Sequence, residues 1–175
     1  GLGFCDRTLG YRIPAANRAE GKAVRDRLKG LGVLRESGHE RFRGSLVVPI
    51  RDVEGRIVQA YGRKTGTQLR KGTELHSWLA DDTGWVFNES VFGATDELIA
   101  CEGLVDALTV WSAGLRNVTA VAGPDGWGDA HSEAIGEHGV SRVIIGFDND
   151  AEGNAGAEAL AARLRGEGVE VFRLR

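Results

Sequence analysis

Methionine is missing from all 175 residues, and there are only 3 prolines and 2 cysteines. A chain without an initiator is expected to be either processed or, more readily, a piece cut from a longer protein. Cys5 and Cys101 lie far apart, and His39, His76, His131 and His138 are scattered. That excludes a disulfide framework and a Cys/His zinc site, and it suits a reducing compartment. Cys101 ends an apolar run and reads as a small buried residue rather than a reactive thiol. No apolar stretch is long enough to span a bilayer and no secretory leader is present, so a cytoplasmic location without a membrane partner is expected. Positive charge is not in excess either. The formal net charge is -3 and the pI about 5.8, which excludes a uniformly basic coat but not a local basic face.

Present in its place is a pair of similar units. Val143-Ile144-Ile145-Gly146-Phe147 is an apolar run of strand type that breaks into Asp148-Asn149-Asp150-Ala151-Glu152-Gly153 and a helix-like stretch. Strands covered on both faces read as continuous apolar runs, and ligands of open α/β sheets collect beyond their carboxyl ends. Acids at that position suit a hard cation held by oxygen. They suit equally a solvated turn that caps the next helix. Leu98-Ile99-Ala100-Cys101-Glu102-Gly103-Leu104-Val105-Asp106 repeats the build: strand, acid, glycine, helix. Leu104, Leu108 and Trp111 are expected on one helical face against a sheet. If the two strands are parallel neighbours, Glu102 shares one sheet edge with Asp148 and Asp150.

Glu-Gly-x-x-Asp followed by Asp-x-Asp-x-x-Gly resembles the TOPRIM domain of DnaG-type primases, type IA and type II topoisomerases and some nucleases. The resemblance runs from about Glu97 to Arg175. It implies a mainly parallel α/β sheet flanked by helices, and phosphoryl chemistry at the acids.

The remaining stretches organise around these two units. Residues 1–16 have no clear period. Asn17 to Lys29 reads as a helix stopped by Gly30 and Gly32; its arginines are read as a solvated face in preference to a nucleic-acid contact. Ser45 to Arg51 and Arg56 to Tyr61 read as two strands joined by Asp52-Val53-Glu54-Gly55. Arg41, Arg43, Arg51, Arg56, Arg63, Lys64, Arg70 and Lys71 crowd this region. They form either a phosphate-tracking groove or the cationic edge that protects a sheet from aggregation. Further along, Asn117 to Val121 is a short strand, Ser132 to His138 a short helix, Ala155 to Leu164 an amphipathic helix and Val169 to Leu174 a closing strand. Gly123-Pro124-Asp125-Gly126 is a loop placed at the acidic sheet edge.

The basic hairpin carries a second resemblance. Arg41-Phe42-Arg43, then Pro49-Ile50-Arg51-Asp52, Gly55 and Gly62-Arg63 follow in the order found ahead of the TOPRIM domain in the catalytic core of DnaG-type primases. Topoisomerases lack this prelude, and only Tyr11 and Tyr61 are available as tyrosine nucleophiles. The resemblance implies an α/β protein in two parts, a smaller basic α+β subdomain over residues 1–92 and a TOPRIM domain over 93–175. It implies a primase-like nucleotidyltransferase making short RNA primers on single-stranded DNA from nucleoside triphosphates. A replicative helicase is an expected partner through a region outside this chain. Glu102, Asp148 and Asp150 are then the catalytic acids. Those three and Glu152 are the ligands of Mg²⁺ or Mn²⁺, with Glu102 either ligand or general base for a 3'-hydroxyl. Arg43 and Arg63 carry over as template contacts, and Lys64, Arg70 and Lys71 follow them more loosely. Ser45 stands where many primases have another arginine. A TOPRIM nuclease, or a DNA-binding fragment without catalysis, is the alternative.

Overall fold

The computed structural model describes residues 1–80 and 84–174. The chain forms two compact units, Gly1–Ile50 with Ile57–Asp82, and Arg51–Arg56 with Thr83–Arg175.

The first unit is built on a four-stranded sheet in the order β1-β2-β3-β4: β1 Gly3–Phe4, β2 Ser45–Arg51, β3 Ile57–Lys64 and β4 His76–Trp78. β1 runs antiparallel to β2, and β4 antiparallel to β3. Alternation along β2 buries Val48 and Ile50 on one face, and Ser45 is buried at the start of the strand on the other. Leu34, Phe42, Ala60 and Tyr61 complete the apolar interior. Residues 1–16 are more ordered than their composition suggests, because β1 pairs with β2 and a single helical turn, α1, covers Leu9–Arg12. The next helix, α2, spans Ala19–Gly30 and stops where Gly32 takes a φ of 75°. Arg25 on this helix is tied to the carbonyls of Pro14 and Gly21. Its charge is used internally, where a solvated face was expected. β4 went unread in the sequence: three residues, His-Ser-Trp, carry no period of their own and are strand only because β3 offers them an edge.

The second unit holds a parallel sheet in the order β6-β5-β7-β8, from β5 Glu97–Cys101, β6 Val118–Ala120, β7 Arg142–Gly146 and β8 Glu170–Arg173. Every pairing in it is parallel. Helices α3 Leu104–Ser112, α4 Asp129–His138 and α5 Ala151–Gly166 are interleaved with the strands, the alternation that yields a doubly covered parallel sheet. Phe92, Leu98, Val121, Val143, Ile145, Leu160 and Leu164 sit in its core. At the amino ends of the strands Arg142 reaches Glu97 on β5 at 3.1 Å and Glu170 on β8 at 2.9 Å.

The face of α3 differs from the expected one. Leu104 and Ala107 are the buried residues, whereas Trp111 is 42% exposed. The Arg116 guanidinium lies 3.4 Å over the Trp111 ring centroid, so this tryptophan is covered by a cation-π contact rather than by the sheet.

Candidate active site and nucleic-acid groove

Strand order decides where a ligand can sit in the second unit. From β5 the chain proceeds outward to β6 on one side, and then returns to β7 and β8 on the other. A crevice opens at such a reversal, beyond the carboxyl ends of the two central strands. Cys101 and Gly146 are register partners there. Glu102 leaves β5 at this edge, and Asp148 and Asp150 leave β7.

Backbone geometry joins the two loops. The Asp148 N–H donates to Glu102 Oε2 at 3.2 Å. Asp150 is the N-cap of α5 and accepts from the Gly153 N–H at 2.8 Å. The capping role considered for these acids is therefore real for Asp150, and it leaves that residue's second oxygen uncommitted. Glycine is required at position 153. A Cβ there would lie 2.3 Å from the Asp148 carbonyl oxygen and 2.9 Å from Glu102 Oε2. One turn on, a Cβ at Gly156 would stand 2.4 Å from the Pro124 side chain. The Gly123–Gly126 loop is thus pressed against α5, and the Gly123 N–H donates to the Glu102 carbonyl at 3.1 Å. The loop after β6 does lie at the acidic edge.

The electrostatics are those of crowded negative charge. The Glu102 carboxyl is held above its ordinary value, first by partial burial and then by the charges of Asp148, Asp150 and Glu152; the Asp148 N–H opposes the shift. Among the described residues, no arginine or lysine ion-pairs with any of the four. An all-oxygen donor set with unneutralised charge fits a hard divalent cation. Among the described residues, no three Asp, Glu, His or Cys side chains form a ready cage for an ion. Mg²⁺ needs none, since it keeps several waters and is commonly held by one or two carboxylates together with substrate phosphates. Asp106, the last acid of the Glu-Gly-x-x-Asp motif, places a carboxylate oxygen 2.5 Å from where a Cβ of Gly103 would stand, a contact this exposed side chain can relieve by rotating.

In the first unit the basic residues separate. A cavity of about 1070 Å³ is lined by Arg7, Arg35, Arg41, Arg43, Lys64 and Arg70 among others. Arg43, Lys64 and Arg70 are thus brought together; Arg63 and Lys71 do not line it. Alternation along a strand explains Arg63, which must face opposite to Lys64; its guanidinium sits 3.3 Å from His76 Nε2. Phe42 is buried, and a Cβ at Gly62 would come within 2.3 Å of its ring. The Arg-Phe-Arg and Gly-Arg motifs are therefore halves of one packing contact. Arg41 is spent on the Gly32 carbonyl at 2.7 Å, which leaves Arg43 as the exposed cation of the triplet. In the hairpin turn, Arg56 is paired with Asp52 and Glu54 at 2.7 Å each. Ser45 is buried, so the residue at that position bears on packing and not on the groove wall.

Sequence reading missed Arg7 and Arg35. Burial holds the Lys64 ammonium below its ordinary value, and Arg35, Arg43 and Arg7 add to the effect. That repulsion marks four cations as neighbours. They come from three separate stretches of chain, around Arg7, Arg35 to Arg43 and Lys64, and no local pattern announces such a cluster.

Comparison with known proteins agrees with this architecture. Residues 99–175, most of the second unit, match the Toprim-like family. A DNA primase of Staphylococcus aureus (strain COL) is 27% identical over 141 residues, which span 78% of this chain and 23% of that protein. The Aquifex aeolicus primase, solved with its zinc-binding and RNA polymerase domains, superposes with a TM-score of 0.76 at 19% identity over 98% of this chain and 44% of that one. A DnaG primase catalytic domain bound to single-stranded DNA gives a TM-score of 0.70 at 19% identity, covering 99% of this chain and 56% of that one. Over nearly its whole length the chain shares the fold of DnaG-type primase catalytic cores. It spans about a quarter of the length of the curated relatives it matches.

Proposed function

We propose that this chain is the core of a primase-type nucleotidyltransferase that joins nucleoside triphosphates into short RNA primers on single-stranded DNA. The observation that carries this is the meeting of Glu102 with the Asp148–Asp150 loop at the switch crevice of the parallel sheet. Phosphoryl transfer asks a protein mainly to position groups and to offset charge. In this reading Asp148 and Asp150, with Glu152 at the rim, hold Mg²⁺ or Mn²⁺, and the ion supplies positive charge to the nucleotide phosphates. Glu102 has a raised carboxyl, which suits a group that takes a proton from the attacking 3'-hydroxyl. Arg43, Lys64 and Arg70 contact the backbone of the template strand, and Arg63 and Lys71 make looser contacts outside that groove. Both cysteines are free thiols, in accord with a cytoplasmic setting. A replicative helicase would dock through parts of the longer protein.

The test is incorporation of labelled nucleotides on a single-stranded template with Mn²⁺. Template-dependent extension that is lost in Glu102→Gln supports the reading. Degradation of the template without extension, using water as attacker, would replace it with a nuclease. Strand binding without either reaction would leave a DNA-binding fragment.

A further inference from the structure

Arg7 has an unusual backbone. Its φ is 69°, and among the described residues only Asn88 shares a positive φ without being glycine. A long side chain rarely adopts this conformation unless its surroundings impose it, and such residues cluster at functional sites. The surroundings here are specific. Glu40 Oε2 accepts from the Cys5 thiol at 2.7 Å and Glu40 Oε1 accepts from the Leu9 N–H at 3.0 Å. One carboxylate therefore grips the chain on both sides of Arg7. Asp6 closes the turn from within, accepting from the Thr8 N–H at 3.0 Å and the Thr8 hydroxyl at 2.6 Å. The Cys5 N–H and carbonyl pair with Ser45 and Gly44. Glu40 is itself fixed by an isolated bridge to Leu34.

The side chain so aimed runs along Gly44, where a Cβ would stand 3.3 Å from Arg7 Nη2. It ends in the cavity shared with Arg35, Arg43 and Lys64. Among the described residues, none of these four cations is ion-paired to a carboxylate. Asp6, Glu40 and Glu74 also line this cavity, but with none of them in an ion pair to the four, the cations remain costly to hold together and open to an anionic ligand. The Cys5 thiol is pushed up to about 11, mainly by burial and the Glu40 bond, so it stays protonated and keeps donating at neutral pH.

We infer that Arg7 is a further phosphate contact for the single strand in this groove, and that Glu40 is the positioning residue that sets it there. The inference rests on the single-strand reading of the groove proposed above. It makes Glu40 a carboxylate in a nucleic-acid site whose removal weakens binding. Simple charge counting gives the opposite sign, because deleting a negative charge from the wall would tighten binding.

The experiment is anisotropy titration of a fluorescein-labelled oligodeoxythymidylate with the full chain, over a range of salt, with circular dichroism confirming that each variant is folded. Arg7→Ala should flatten the slope of log affinity against log salt by about 0.7, the increment for one phosphate on a single strand. Glu40→Gln should weaken binding and flatten the slope by a similar step. In an Arg7→Ala background Glu40→Gln should weaken binding no further, because the group it positions is gone. An unchanged slope in Arg7→Ala, with Arg43→Ala and Lys64→Ala still lowering it, overturns the inference and leaves the groove reading intact. Tighter binding by Glu40→Gln overturns the positioning role. Failure of the unaltered chain to bind the oligonucleotide overturns both readings together.

Discussion

His131 should make the second unit sensitive to acid. It is 1% exposed, its ring lies 4.8 Å from that of Trp127, and among the described residues no group makes a well-formed hydrogen bond to its Nε2. Nδ1 receives only a 3.4 Å contact from the Gly128 N–H. Burial pushes the imidazole down to about 4 from 6.5; the Ala120 carbonyl opposes this and Arg163 adds to it. The unfolded chain therefore binds a proton that the folded chain refuses between pH 6.5 and 4, so stability rises with pH across that window and falls on acidification. A shift of this size corresponds to about 3 kcal/mol below pH 4, of which about 2 kcal/mol is already lost at pH 5. Set against a typical total of about 5–15 kcal/mol, that is a large fraction. His131→Leu removes the titrating group, and other carboxylates titrate alike in both proteins. Urea unfolding at pH 7.5 and pH 5.0 should therefore show a drop in the parent that exceeds the variant's by about 2 kcal/mol. Equal drops in the two proteins, or a His131 ring resonance that titrates near 6.5 in the folded state, would refute the argument.

Gly153→Ala should damage both stability and activity. The added methyl meets backbone at Asp148, which cannot swing aside as a side chain would, and overpacking of this kind costs about 1–3 kcal/mol. Chemical denaturation reads the first effect and nucleotide incorporation the second. Glu102→Gln should leave the metal-free protein as stable or more stable at neutral pH. A carboxyl whose folded pKa lies above its unfolded value loses stability as pH rises through that interval, and the amide removes the loss. A clear fall in melting temperature for this variant at pH 7.5 without metal would contradict the crowding of charge at the crevice.

The second unit was the more legible of the two in sequence, for a physical reason. Buried parallel strands must be continuous apolar runs, so Leu98–Cys101 and Val143–Phe147 announce themselves, and the acids that follow them mark the sheet edge. What periodicity could not convey was competition from side-chain partners. Trp111 has helical spacing for the core, yet Arg116 offers it a surface contact that the spacing does not encode. Asp150 and Asp148 look equivalent in Asp-x-Asp, but only Asp150 lies at the N-cap. In the first unit, the cations of the hairpin were read as one population. The pleat divides Arg63 from Lys64, and local acids withdraw Arg56. Arg7 was invisible because its place depends on Glu40, a contact between segments that no motif links.

The bond from Asp148 to Glu102 joins residues 46 apart in the chain. Two helices and two strands lie between them. Unlike a hairpin pair, these acids cannot meet early in folding, since the loop that separates them must be closed before any contact rewards it. The acidic crevice is thus a product of the finished sheet, formed no sooner than β5 and β7 zip together. During refolding, the moment at which divalent-ion binding returns would time the pairing of the two central strands. A chain caught with its helices made and its sheet open would pass for folded by helical content, yet have no site at all.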